Sequence, residues 1–256
     1  MKGFGAFYKK EIMELFRSYR GMILGGLTLV FGIMSPLIAK VTPWLMEHYS
    51  ESLKDQGITV GKVTVSAKDA WGQFDKNYSI LLIVVLILFS GAYVGEYAKG
   101  TLIPLFTKGL GRSAALFAKL ALQLLAWTVC LAGSFGITWG YTAYYWDNST
   151  VQNLPMILLC FWLAGVFFLT LMALFSSFCN STIQVLLGTG GVYFLLMLLG
   201  MVESLQDVLP TKLMGCASML NGETEPGDFL TAILVAAAAS LIFTVLAVVI
   251  TKRRKL

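Results

Sequence analysis

Charge is scarce in this 256-residue chain. Only 13% of its residues are charged, while 57% are apolar. A soluble domain carries about a quarter charged residues, so a water-soluble globule is excluded. Histidine is scarcer still. His48 stands alone, which leaves no histidine set for a zinc centre or for Ser-His-Asp chemistry. The four cysteines, Cys130, Cys160, Cys179 and Cys216, include no CxxC pair and read as small apolar residues. Neither GxSxG nor HExxH occurs. "GITVGKVT" fails as a phosphate loop: three residues separate Gly57 from Gly61 where four are required, and Val63 stands where Ser or Thr belongs. No small-residue cleavage site follows the first apolar run, so no cleaved leader is expected.

Long apolar runs take the place of these sites. A helix crosses a bilayer with about 20 mostly apolar residues. Six runs qualify, at roughly 21–39, 78–95, 113–146, 155–176, 183–202 and 229–250. The expected fold is an all-α integral membrane protein: six spans forming a single transmembrane domain over residues 1–256. An even span count puts both termini on one side. That side carries thirteen lysines and arginines, against six on the other, and the basic side is expected to be cytoplasmic. The net charge of +5 therefore sits beside the spans and does not indicate nucleic acid.

The third run is too long for the membrane. At about 1.5 Å per residue, Ser113–Tyr145 extends roughly 50 Å against a hydrocarbon core of about 30 Å. Its outer end carries Trp139, Tyr141, Tyr144, Tyr145 and Trp146, an aromatic belt. The excess is expected below the membrane, with Lys119 at the wet end. Before the first run, Phe4, Tyr8, Ile12, Leu15, Phe16 and Tyr19 fall on one helical arc, with Lys10, Glu14 and Arg17 turned away. That pattern predicts an amphipathic helix lying in the interface. Beyond the membrane on the other side, "ITVGKVTV" suggests a short hairpin, and "SAKDAWGQFDKN" places Trp71 and Phe74 at the interface. Residues 203–228 are too polar and short to span, and read as a re-entrant or surface segment. "GTGG" at 188–191, inside the fifth run, reads as a close helix contact or kink. Gly133, Gly136 and Gly140 likewise suggest packing.

Lys119 aside, no carboxylate, base or histidine lies inside a run. Proton- and ion-driven carriers commonly place such groups there. Active transport by this chain would then draw its energy from outside the spans.

One stretch, "GEYAKGTLIPLFTKGLGR" at residues 95–112, fits neither a loop nor a span. It combines one acid, three bases and four glycines with Leu102, Ile103, Leu105 and Phe106. Glu96, Gly100, Thr101, Leu102, Leu105, Thr107, Lys108, Arg112 and Lys119 occur in the order that resembles the first cytoplasmic loop of ABC-2-type permeases, the membrane subunits of ABC exporters. Gly109 and Gly111 depart from that pattern, standing where proline and serine are usual. The opening "FYKKEIMELFRSYRGMIL" is similar to the family's interfacial helix.

The resemblance implies a multi-pass permease of a bacterial plasma membrane with both termini cytoplasmic. It implies a coupling helix at 95–112, in which Leu102, Leu105 and Phe106 enter a groove of a separate ATP-binding subunit. Glu96, Lys108 and Arg112 are then rim charges, with Gly100 and Thr101 in the turn. ATP and magnesium belong to that subunit, so this chain is expected to hold no cofactor or metal and to be no enzyme by itself. A second permease copy or a paralogue completes the pathway, which works by alternating access. Trp127, Phe135, Trp162 and Tyr193 are candidate lining for a hydrophobic or amphipathic cargo: a peptide toxin, an antimicrobial peptide, a drug or a lipid-like molecule. The rival readings are a secondary carrier or channel, and a non-transporting scaffold or immunity protein.

Overall fold

Hydrocarbon offers no partner for a backbone N–H or C=O, so a chain this apolar must pair its backbone within each segment. The computed structural model describes residues 4–54 and 64–254, and among them it contains helices and turns and no strand. The helices are α1 (Phe4–Arg17), α2 (Tyr19–Lys54), α3 (Ala67–Phe89), α4 (Val94–Ala98), α5 (Ile103–Thr107), α6 (Arg112–Tyr145), α7 (Leu154–Phe178), α8 (Thr182–Leu199), α9 (Glu203–Gln206), α10 (Ser218–Asn221) and α11 (Leu230–Arg253). Six of them, α2, α3, α6, α7, α8 and α11, are long and apolar enough to cross a membrane. The protein is an all-α integral membrane protein. The "ITVGKVTV" segment falls outside the described residues except for Thr64 and Val65.

Helices outrun the apolar runs at both early spans. α2 continues through Pro36 and Pro43 to Lys54. Proline removes the N–H that would bond the carbonyl one turn back, which for Pro36 is that of Gly32. A neighbouring helix supplies the missing donor: Thr138 Oγ1 of α6 donates to the Gly32 carbonyl at 2.9 Å. α3 begins at Ala67, eleven residues before the apolar run. Ser66 and Asp69 form a capping box there, with the Ser66 N–H donating to Asp69 Oδ2 at 2.8 Å. One expectation is thereby corrected. Trp71 and Phe74 are buried on α3 rather than lying at the interface, because one turn of helix turns both onto the core with Phe135. Before its apolar run the helix bearing the second span carries ionisable groups, among them Asp75, whose Oδ1 is buried without a hydrogen-bond partner among the described residues.

α7 is the interior helix. Its apolar window is 78% buried, against 11% for α8 and 17% for α11. Three polar ties join its neighbours. Tyr78 OH donates to the Phe161 carbonyl at 2.8 Å, Trp127 Nε1 to the Trp162 carbonyl at 3.1 Å, and Asn77 Nδ2 to Ser35 Oγ at 3.0 Å. Gly188 makes the contact expected of "GTGG", since a Cβ there would lie 2.5 Å from the Phe175 ring. Of the other three glycines, Gly133 lies close to Thr28, whereas Gly136 and Gly140 have open space beside them. Residues 203–229 form short helices and turns (Pro210–Gly215 and Pro226–Phe229 among them) that bury Leu213, Cys216, Met219 and Phe229 against the bundle.

Candidate functional site

The stretch from 95 to 112 folds as two short helices set between sharp turns. Gly100 has φ +69° and Gly109 φ +94°, a region that L side chains rarely adopt. Thr101 Oγ1 donates to the Glu96 carbonyl at 3.1 Å, and Thr107 Oγ1 to the Pro104 carbonyl at 3.0 Å, so both hydroxyls close turns. Pro104 sits in the first turn of α5, where its missing N–H costs nothing. The departure at Gly109 has a structural consequence: proline, held near φ −65°, cannot adopt this turn. Gly111 is the N-cap of α6 and provides no side-chain cap.

The apolar residues of the stretch divide between two directions. Leu102 is 1% exposed and packs with Phe7, Tyr93, Leu110, Ala114 and Leu116 of its own chain. Its assignment to a partner's groove is therefore corrected, because the turn at Gly100 rotates it inward. Leu105 and Phe106 are half-buried. Ile103, 47% exposed, and Pro104 face outward together with Thr107 and Lys108. Between α1 and α5 runs an open groove whose walls include Phe7, Lys10, Leu105, Lys108 and Leu110.

The charges are arranged inward as well. Lys119 is 3% exposed, not at a wet end. Its Nζ lies 2.8 Å from Glu11 Oε2 and 3.0 Å from Glu96 Oε1. Lys10 lies 3.0 Å from Glu11 Oε1, 3.6 Å from Glu96 Oε1, and pairs with Glu14. Glu96 thus belongs to an internal ion network rather than a rim. The network joins α1, α4 and α6. Lys10 and Glu14 face this network and not away from it, and Phe7 and Glu11 form the buried stripe of α1, with Tyr8, Ile12 and Leu15 half-buried beside it. Phe4 is half-buried against Phe117 of α6, whereas Phe16 and Tyr19 are exposed. Burial works against the Lys10 ammonium, but hydrogen bonds to Glu14 and Glu11 and the charges of Glu11 and Glu96 outweigh it and hold its pKa above the ordinary lysine value. Burial likewise raises the Glu14 carboxyl, and the Lys10 hydrogen bond overcomes this and leaves it lowered. Glu11, Glu14 and Glu96 bring their carboxylates within 4.8 Å of one another. Two ammonium groups sit among them, so the cluster is an ion network in its own right.

A second hub lies at Arg254. Its guanidinium donates to the carbonyls of Ser176 (3.1 Å), Ser177 (3.2 Å) and Cys179 (2.7 Å), and to Asn180 Oδ1 (2.8 Å). It thereby caps the C-terminal end of α7, whose last carbonyls have no intrahelical donor. It also stacks 4.0 Å from the Tyr97 ring centroid. Arg112 donates to the Arg254 carbonyl, which places it in this hub rather than on a rim. Nothing in the local sequence marks Glu11 or Arg254 for these roles, since Lys119 lies 108 residues from Glu11 and the partners that Arg254 donates to lie 74 or more residues away.

Of the candidate lining residues, Trp127 is 0% exposed and packed on Gly165. Phe135 is buried with Trp71 at 4.5 Å between ring centroids. Neither faces a pathway within this chain. Trp162 is half-buried and donates to Thr128 Oγ1 at 2.9 Å. Tyr193 lines a cavity of about 200 Å³ between α3, α7 and α8.

No curated protein sequence matches this chain. Residues 6–256 match the family described as ABC-2 family transporter protein, and the chain, with its six apolar helices and its short helices at the basic end, belongs to the ABC-2 transporter family.

Proposed function

We propose that this chain is the transmembrane permease of an ATP-driven exporter. Two permease chains enclose the pathway, and a separate ATP-binding subunit, carrying ATP and magnesium, docks at the basic, cytoplasmic end. The observation that carries this reading is the outward face of α5. Ile103 and Pro104 are exposed there, beside the open groove against α1. A five-residue helix held between two left-handed glycines is a shape for insertion into a partner. Behind it, the Glu11–Lys119–Glu96 network ties the docking surface to α6, a continuous helix that crosses the membrane. Motion imposed on α5 by nucleotide-driven closure is transmitted along that connection, and the spans reorient between two states. The cargo is hydrophobic or amphipathic.

The test is a pull-down of the ATP-binding subunit together with ATP-driven transport. Ile103→Asp places a carboxylate in the proposed contact, where burial of an unpaired charge costs several kcal/mol. A loss of about 3 kcal/mol weakens association over a hundredfold. Thr107→Ala, on the same helix, should have little effect. Full partner binding and full transport by Ile103→Asp would remove α5 as the docking element.

A further inference from the structure

We propose that the cavity between α3, α7 and α8 binds a neutral single-chain amphiphile, with its alkyl chain along the apolar wall and a hydrogen-bonding group at the Thr189 hydroxyl. The walls come from Leu82 and Leu86 of α3, Met172 of α7, and Leu186 and Tyr193 of α8, with Met214 from the 203–228 segment. The residues from α3 and α8 lie well within their spans, so the cavity sits at membrane depth. Met214 belongs to the segment that packs on the bundle at the end opposite the basic one.

Thr189 is what makes the cavity more than a gap between helices. It is 3% exposed and its Oγ1 has no hydrogen-bond partner among the described residues. Several helical threonines elsewhere in this chain satisfy themselves, although Thr251 of α11 is a second buried one whose Oγ1 has no partner among the described residues. Thr28, Thr42, Thr128, Thr142 and Thr244 all donate to the carbonyl four residues back. Thr189 makes no such bond, and in an apolar setting an unpaired hydroxyl is unfavourable. A ligand group that accepts from it, or donates to it, relieves that cost.

The glycines of "GTGG" divide the labour here. Gly188 brings α8 against Phe175 of α7, whereas a Cβ on Gly190 would meet nothing within 4 Å. Gly190 lines the cavity, so its missing side chain leaves the space open. Among the described residues no charged side chain lines the site. A cationic peptide or an anionic headgroup would be buried there unpaired, which is strongly unfavourable. Flexible Leu, Ile and Met walls suit an alkyl chain. The role of this ligand as cargo rests on the permease reading above; its binding does not.

The experiment uses the full chain in phosphatidylcholine nanodiscs and a dodecanamide carrying a mid-chain diazirine. After photolysis, labelled peptides are mapped. The label is expected on peptides holding Leu82–Ile87 or Thr189–Tyr193 and is expected to be displaced by unlabelled dodecanamide. Gly190→Leu fills the cavity and should weaken labelling at least about tenfold. Thr189→Val keeps the shape and removes the hydroxyl. It should weaken labelling about fivefold, with thermal stability unchanged or raised, and Thr189→Ser should restore labelling. Wild-type labelling in Gly190→Leu, or in Thr189→Val, overturns the proposal. A parallel phosphatidylcholine probe with the diazirine in its acyl tail separates the sources. Cavity labelling by that lipid, undisplaced by dodecanamide, assigns the space to the bilayer and also overturns it. Binding that stands while dodecanamide leaves ATP-driven transport by the whole complex unaltered supports the site and counts against its role as cargo.

Discussion

Lys119→Met tests the core of the structural argument. In the native protein one ammonium serves two carboxylates, at 2.8 Å and 3.0 Å, while its side chain is 3% exposed. Three acids and two bases make up the network. Removing Lys119 leaves Glu11, Glu14 and Glu96 with Lys10 alone. Glu11 is itself buried, and breaking a buried pair by removing one partner costs about 3–5 kcal/mol. At about 2–4 °C per kcal/mol for a chain of this size, a cost of about 3 kcal/mol lowers the apparent Tm by roughly 6–12 °C. The second arm is Lys119→Met combined with Glu11→Leu. Replacing both members of a buried pair by apolar residues is often neutral, so the double variant should recover at least half the loss. Thermal unfolding in nanodiscs measures both, and trypsin cleavage within α1, at Lys9, Lys10 or Arg17, reports whether α1 has come away. If Lys119→Met melts as wild type, or if the double variant melts no higher than the single one, the network does not hold α1 to α6.

Gly109→Pro should abolish coupling while insertion continues, because proline cannot take φ +94°; partner pull-down against membrane yield checks this. Arg254→Ala leaves three carbonyls and one amide oxygen without their donor, and at about 1.5–3 kcal/mol per charged hydrogen bond the loss should be among the largest of any single substitution. Arg254→Lys should rescue it only partly, since an ammonium lacks the planar fork, as thermal unfolding will show. The pH dependence follows from the two shifted groups. Glu14 is lowered in the folded protein, so its contribution is present above the ordinary glutamate value of about 4.3 and is lost as pH falls through the lower folded value. Lys10 is raised, so its contribution is complete below the ordinary lysine value and is lost only as pH rises through the higher folded one. Tryptic release of α1 should therefore be flat through neutral pH, and partial proteolysis after brief acid exposure below about pH 4 should increase it. Cysteines introduced at positions 55 and 225 should react with an impermeant thiol reagent from outside the cell, and one at 254 should not. The reverse pattern would invert the orientation drawn from the basic residues.

Hydropathy is a local sum, so the sequence alone determined the six spans and the all-α class. The length of α6 was likewise legible, because roughly thirty apolar residues between Arg112 and Trp146 exceed any bilayer. The motif around Gly100, Thr101 and Lys108 is contiguous, and the resemblance it carries agrees with the family match over residues 6–256. Tertiary structure alone decided which way each residue faces. Leu102 and Ile103 are adjacent and equally apolar, yet the turn at Gly100 buries one and exposes the other. Lys119 read as a wet-end charge until Glu11, 108 residues away, was brought to it by the packing of α1 on α6. Trp127 and Tyr193 were equally good candidates for a lining. Packing on Gly165 filled the space around the first, and the open face at Gly190 left a cavity beside the second. A helical sequence states the period of its faces. Which face meets another helix, and which meets lipid, cavity or partner, depends on how the helices pack.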